Sequence, residues 1–125
     1  MKPDAAVLLV DADPATVETV RDALAREQRV HLLVADDRIA ALELMRQERP
    51  ALTLVAAELG GLAWCQSLRG DRELAETHCV LIASPGDADS HRLALDQGVE
   101  AVVLRPLQAA QLLGHVRTLL RLHGA

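Results

Sequence analysis

At 125 residues, half of them apolar and a quarter charged, the sequence has the size and composition of one globular domain, expected to run over residues 1–125. Thirteen Lys and Arg against eighteen Asp and Glu leave a formal charge of −5, and Trp64 is the only aromatic residue; there is neither a basic balance nor a set of stacking platforms for a nucleic-acid partner. No apolar run approaches the ~20 residues of a membrane span, residues 1–3 begin no leader pattern, and Cys65 and Cys79 fit no metal-ligand spacing, so a cytoplasmic chain with reduced thiols is expected.

Residues 5–10 (AAVLLV) form an unbroken aliphatic run ending at Asp11, the pattern of a strand buried on both faces of a parallel sheet. Asp13-Pro14 then opens a helix, with Asp as cap and Pro in the first turn, and Val17, Val20, Ala23 and Leu24 supply its apolar stripe. A second strand is expected over 30–35. The helix after it is capped by Asp36 or Asp37, carries Ile39, Leu42, Leu44 and Met45, and stops at Arg49-Pro50. Residues 51–57 (ALTLVAA) read as the third strand, Gly60-Gly61 as a turn, and 62–69 as a short helix bearing Trp64 and Leu68. The fourth strand, 80–83, runs into Ser84-Pro85-Gly86, and a helix over 87–97 is stopped by Gly98. The fifth strand, 101–104, meets Arg105-Pro106, and a last helix over 107–122 carries Leu112, Leu113, Val116, Leu119 and Leu120.

Five strand–helix repeats predict an α/β open doubly wound parallel sheet with helices on both faces. In such sheets the working site lies beyond the carboxyl ends of the strands. That singles out 11–13, 56–61, 84–87 and Arg105-Pro106. At these positions the chain resembles the response-regulator receiver domains, the CheY-like family. Val7-Leu8-Leu9-Val10-Asp11-Ala12-Asp13-Pro14 is similar to the family's first strand and acid cluster, and Pro50-Ala51-Leu52-Thr53-Leu54-Val55-Ala56 to the strand that ends in the phosphoryl-accepting aspartate. Val80-Leu81-Ile82-Ala83-Ser84 resembles the strand ending in the switch hydroxyl, and residues 98–107 the stretch from a glycine to a Lys-Pro pair. The resemblance implies the flavodoxin-like strand order 2-1-3-4-5, a cis bond before Pro106, and a signalling rather than an enzymatic role.

The departures from the family pattern concern its chemistry. The acceptor position holds Ala56, and a methyl group cannot attack phosphorus. The second acid of the adjacent pair is Ala12, so of the ligands that would anchor Mg²⁺ only Asp11 remains. Arg105 stands for the lysine, Val102 for the switch aromatic, and the turn after Ala56 is a few residues short. The expected module is therefore a pseudo-receiver that acts by protein–protein contact, with no catalytic residue, metal or cofactor. Its vestigial pocket comprises Asp11, Ala12, Asp13, Ala56, Ser84, Arg105 and Pro106.

Local readings accompany each of these residues. Asp11 is expected to form a bidentate pair with Arg105 in place of the metal. Asp13 reads as a helix cap and Ser84 as a turn residue. Glu58 reads as a solvated turn carboxylate, and Asp87, Asp89 and His91 as acids and a histidine at a helix start rather than a metal cluster. His31 is expected at a partly exposed edge, Cys65 and Cys79 as small buried hydrophobes, and Trp64 as core.

Two other functions are open to the sequence: a phosphoreceiver with an unconventional acceptor, and a small-ligand domain of the flavodoxin type. Against the second, the first loop (Asp11-Ala12-Asp13-Pro14) is acidic and has no hydroxyl for a flavin phosphate. The expected partner is a protein or a fused output domain, since the ending Leu122-His123-Gly124-Ala125 suits continuation into a linker. A homodimer through the fourth helix, fifth strand and last helix is the alternative. Leu93 and Leu95, about 200° apart on that helix, cannot both face the core. With Val102 and an off-stripe Leu122 they mark the expected interaction surface.

Overall fold

In the computed structural model, which describes residues 5–86, 95, 96 and 98–124, five strands form one parallel sheet. The strands are β1 (Ala5–Val10), β2 (Val30–Ala35), β3 (Leu52–Ala56), β4 (His78–Ala83) and β5 (Ala101–Leu104), in the order β2-β1-β3-β4-β5. Helices α1 (Pro14–Leu24), α2 (Arg38–Glu48), α3 (Gly61–Arg69) and α4 (Ala109–Gly124) connect or follow them, with a 3-10 turn at Ala57–Leu59. The expected helix over 87–97 lies outside the described residues except at Leu95 and Asp96, which are helical. Leu93 falls outside them too.

Alternation along the buried strands divides the core into two layers. Val7, Leu9, Leu52, Leu54, Val80 and Ile82 face one way and pack on Val20 and Leu24 of α1 and on Leu112, Val116 and Leu119 of α4. Leu8, Val10, Val55, Cys79 and Leu81 face the other way, against Ala41 and Met45 of α2 and Trp64, Cys65 and Leu68 of α3. Because β1, β3 and β4 are covered on both faces, their sequences are continuous aliphatic runs rather than alternating ones. Each fully buried Leu or Val contributes roughly 1.5–3 kcal/mol.

Several element boundaries, and the placement of Ile39, differ from the sequence expectation. β3 is one residue shorter at each end, and β4 begins at His78, because His78 N–H already bonds Ala51 C=O at 2.9 Å. The last helix starts at Ala109 rather than 107: Arg105–Pro106 is cis, and the Gln108 carbonyl accepts the first helical bond, from Leu112 N–H at 2.9 Å. Ile39, assigned to the apolar stripe of α2, is exposed. The helix buries Ala41 and Met45, and Ile39 sits about 200° around from Ala41.

One polar pair is sealed in the sheet. Thr53 of β3 and Thr77 are both buried, with their hydroxyls 3.1 Å apart. Removing the Thr53 hydroxyl leaves Thr77 only its long bond to the His78 carbonyl, at 3.5 Å, so Thr53→Val is expected to cost about 1 kcal/mol. Thr53→Val combined with Thr77→Val should cost less than the single change. Urea unfolding followed by Trp64 fluorescence reads both.

Candidate functional site

The carboxyl ends of β1, β3, β4 and β5 open onto one edge of the sheet, around the reversal of strand order between β1 and β3. Asp11 follows β1, fixed by its N–H to Ala35 C=O at 3.0 Å, and its side chain is 1% exposed. Asp11 Oδ1 accepts the Asp13 N–H at 2.9 Å, an Asx turn that aims the chain into α1. Asp13 caps that helix, accepting from Ala15 N–H at 3.3 Å and from the Thr16 hydroxyl at 2.8 Å. The Thr16 bond holds the Asp13 carboxyl below its usual range.

Arg105 enters from the other side, at the end of β5, where its N–H bonds Ala83 C=O at 2.9 Å. Its side chain is 15% exposed. Both terminal nitrogens converge on Asp11 Oδ2, at 3.1 and 2.9 Å. The pair is not the fork-on-fork bidentate arrangement expected from sequence, because Asp11 Oδ1 is committed to the Asp13 amide. Nη1 also donates to Thr16 Oγ1 at 3.2 Å, and Nη2 to Glu58 Oε2 at 2.6 Å.

Glu58 is therefore not a free turn carboxylate. The 3-10 turn that follows β3 turns it back over the strand end, where it is half exposed but ion-paired. Burial pushes the Asp11 carboxyl above its usual range, with the Asp13 amide and the Arg105 charge pulling the other way.

The remaining pocket residues carry no reactive group into this cluster. Ala56 ends β3 fully buried with only a methyl group, Ala12 is exposed, and Ser84 and Pro106 are exposed in the loops after β4 and β5. Beside the cluster runs a groove of about 340 Å³, lined by Asp13, Thr16, Thr19, Pro85, Arg105 and Leu107 among others. Among the described residues, no group of three His, Cys, Asp or Glu is gathered to hold a metal ion. Asp87, Asp89 and His91 lie outside the described residues.

Thr16 was missed from sequence, and Glu58 was read as a solvated turn carboxylate rather than as a partner of Arg105. Thr16 had a signal, since a Thr three residues after a capping Asp is placed to bond it. Glu58 had only its position two residues past a strand end, opposite a cation.

On the expected interaction surface, Leu95 and Leu122 are exposed, at 52% and 63%, and Leu104, which sequence reading did not single out, at 39%. Val102 is only partly buried and packs against the α2/α3 layer. His31 is exposed on edge strand β2, while Trp64 and both cysteines are buried. No helix among the described residues is long and apolar enough to cross a membrane.

A family model described as the response regulator receiver domain matches residues 7–117. The response regulator MprA of Mycobacterium tuberculosis is 31% identical over 119 residues, covering 92% of this chain and 50% of that protein. The chain thus spans about half the length of the curated relatives it matches. The structure is similar to the signal receiver domain of an HD domain-containing protein from Pseudomonas fluorescens (TM-score 0.86, 20% identity, 99% of this chain and 92% of that one). It is also similar to NtrX from Brucella abortus (TM-score 0.86, 22% identity, 97% of this chain and 27% of that one).

Proposed function

Because the chain belongs to the response regulator receiver domain family of two-component signalling, we propose that it is a pseudo-receiver: a module that acts through protein contacts, without catalysis and without aspartyl phosphorylation. The observation that carries this reading is the Asp11–Arg105–Glu58 bridge over a strand that ends in Ala56. A receiver needs a free carboxylate at that strand end, a cation to meet the incoming phosphoryl group, and a divalent ion between them. Here the strand end has no nucleophile, and the cation is already neutralised by two carboxylates.

Magnesium does not fit this donor set. Asp11 Oδ1 is taken by an amide and Oδ2 by Arg105, Glu58 Oε2 lies 2.6 Å from the same guanidinium, and Ala12 and Ala56 offer no side-chain oxygen. A hard cation that requires several oxygens would have to break the ion pairs to gain two ligands. Asp11, Ala12, Asp13, Ala56, Ser84, Arg105 and Pro106 are accordingly assigned to a vestigial pocket.

The exposed Leu95, Leu104 and Leu122 support a partner surface on β5, the residues before it and α4. A second copy, a separate protein or a fused output domain would suit it, and the greater length of MprA and NtrX favours the last in those relatives. In the homodimer form, the association should be set by the apolar contact alone. Sedimentation velocity at tens of micromolar is then expected to give the same dimer fraction with and without Mg²⁺ and beryllofluoride, a mimic of an acyl phosphate. Leu95→Glu should weaken the dimer roughly tenfold or more. A dimer fraction that rises with beryllofluoride would contradict phosphate-independent action. A monomer throughout would remove the homodimer.

A further inference from the structure

The two edges of the sheet are protected unequally. β5, at one edge, is four residues long and runs into Arg105–Pro106, and a proline offers no N–H to an added strand. β2, at the other edge, is six residues long, and its sequence VHLLVA contains no Lys, Arg, Asp, Glu, proline or glycine. The residues that keep sheet edges from pairing are thus missing from β2 itself. Its outward main-chain groups follow from the ladder. Ala5 N–H bonds Arg29 C=O at 2.8 Å and Asp11 N–H bonds Ala35 C=O at 3.0 Å, so the odd-numbered residues of β2 face β1. Alternation then turns the N–H and C=O of Leu32 and Val34 outward, with the Asp36 N–H beyond them. Val30 N–H is taken by Glu27 C=O at 3.1 Å, which leaves its carbonyl.

We propose that a second copy of this chain pairs antiparallel with β2 about a two-fold axis through Leu33, joining the two sheets edge to edge. Outward groups must meet outward groups, so the axis can pass through Leu32, Leu33 or Val34 but not between residues. With the axis at Leu33, Leu32 of one copy exchanges both bonds with Val34 of the other, and Val30 C=O accepts from Asp36 N–H. The side chains agree on both faces. Leu33 meets its own counterpart on the α2/α3 side, and Leu32 meets Val34 on the α1/α4 side. There a groove of about 240 Å³, lined by Leu24, Val30, Leu32 and Val34 among others, already lies open between α1 and the strand.

Charge selects both the occupant and the register. β2 is preceded by exposed Arg29 and followed by exposed Asp36 and Asp37. An antiparallel copy brings the basic end of one strand to the acidic end of the other, at both ends of the interface, whereas a parallel copy would set like charges together. With the axis at Leu33, Arg29 stands directly opposite Asp37. Asp37 Oδ1 caps α2 through Ala40 N–H at 2.8 Å, leaving Oδ2 for the guanidinium. With the axis at Leu32, Arg29 would face Ala35, and with the axis at Val34 it would face Ile39. The assignment is separate from the phosphorylation reading and from the surface of Leu95, Leu104 and Leu122, which it leaves to another protein or a fused output domain.

Sedimentation velocity at tens of micromolar, with backbone amide hydrogen exchange read by NMR at high and low concentration, tests this on the unaltered chain. The expected result is a dimer in which the Leu32, Val34 and Asp36 amides exchange about tenfold more slowly than in the dilute chain. Leu33 and Ala35, bonded to β1 in either state, should change little. Arg29→Asp and Asp37→Arg should each weaken the dimer roughly tenfold or more. An equimolar mixture of the two variants should restore it, because the mixed pair regains opposite charges at both ends. Leu95→Glu should leave it unchanged. Should Asp37→Arg fold poorly for want of its cap, the exchange pattern of the unaltered chain decides by itself. A monomer at these concentrations, protection falling on other amides, a folded mixture no more associated than its components, or a dimer lost with Leu95→Glu and kept with Arg29→Asp would each overturn the proposal.

Discussion

Arg105→Ala is expected to destabilise the chain by about 3 kcal/mol at neutral pH, the cost of leaving a buried charge without its partner. The asymmetry of the cluster sets this value. Glu58 is half exposed and returns to water when the guanidinium is removed, so it costs little. Asp11, 1% exposed, keeps only the Asp13 amide. Its carboxyl is already pushed above the usual range by burial, and losing the arginine pushes it further.

The sign of the pH dependence follows from that direction. A carboxyl whose folded-state affinity for a proton exceeds its unfolded one is stabilised by protonation. The variant's deficit should therefore be complete above the raised pKa of Asp11 and shrink as pH falls through it toward the ordinary aspartate value. Asp11→Asn in the Arg105→Ala background removes the stranded charge and should recover most of the loss. Urea unfolding followed by Trp64 measures all three chains. A single variant within 0.5 kcal/mol of wild type would mean that water reaches Asp11.

Gly61→Ala is the second large effect, expected at about 2 kcal/mol. The new methyl group would stand 2.7 Å from Ala56 C=O and 2.9 Å from Leu81 Cδ1, and the first of these is backbone that cannot turn away. Overpacking of this kind costs typically 1–3 kcal/mol, offset slightly by the better helix propensity of alanine. Gly114→Ala is the control. It lies inside α4 with nothing within 4 Å of the added carbon, and should stabilise by about 0.5–1 kcal/mol. If both glycines gave the control's result, α3 would not be seated on the sheet as described.

The fold was largely legible because its strands are buried on both faces. Runs such as VLLV at 7–10 and VLIA at 80–83 have few alternatives to a parallel sheet, and Asp13-Pro14 and Gly98 mark element ends by local chemistry. Where the reading failed, the cause was three-dimensional. Ile39 matched a helical stripe in spacing, but which stripe is buried depends on how α2 is rotated against β1 and β2. The Asp11–Arg105 pair could be expected from two strand ends facing one pocket. The commitment of Asp11 Oδ1 to an amide could not, nor could the fold-back of Glu58, since both follow from turn geometry a few residues long.

The central claim is that this receiver does not accept a phosphoryl group, and intact mass after incubation with Mg²⁺ and acetyl phosphate tests it most directly. The chain with Ala56 at the end of β3 and Arg105 held by Asp11 and Glu58 is expected to keep its unmodified mass. A stoichiometric phosphate adduct that hydroxylamine removes would show an acyl phosphate on another carboxylate, and would contradict the account.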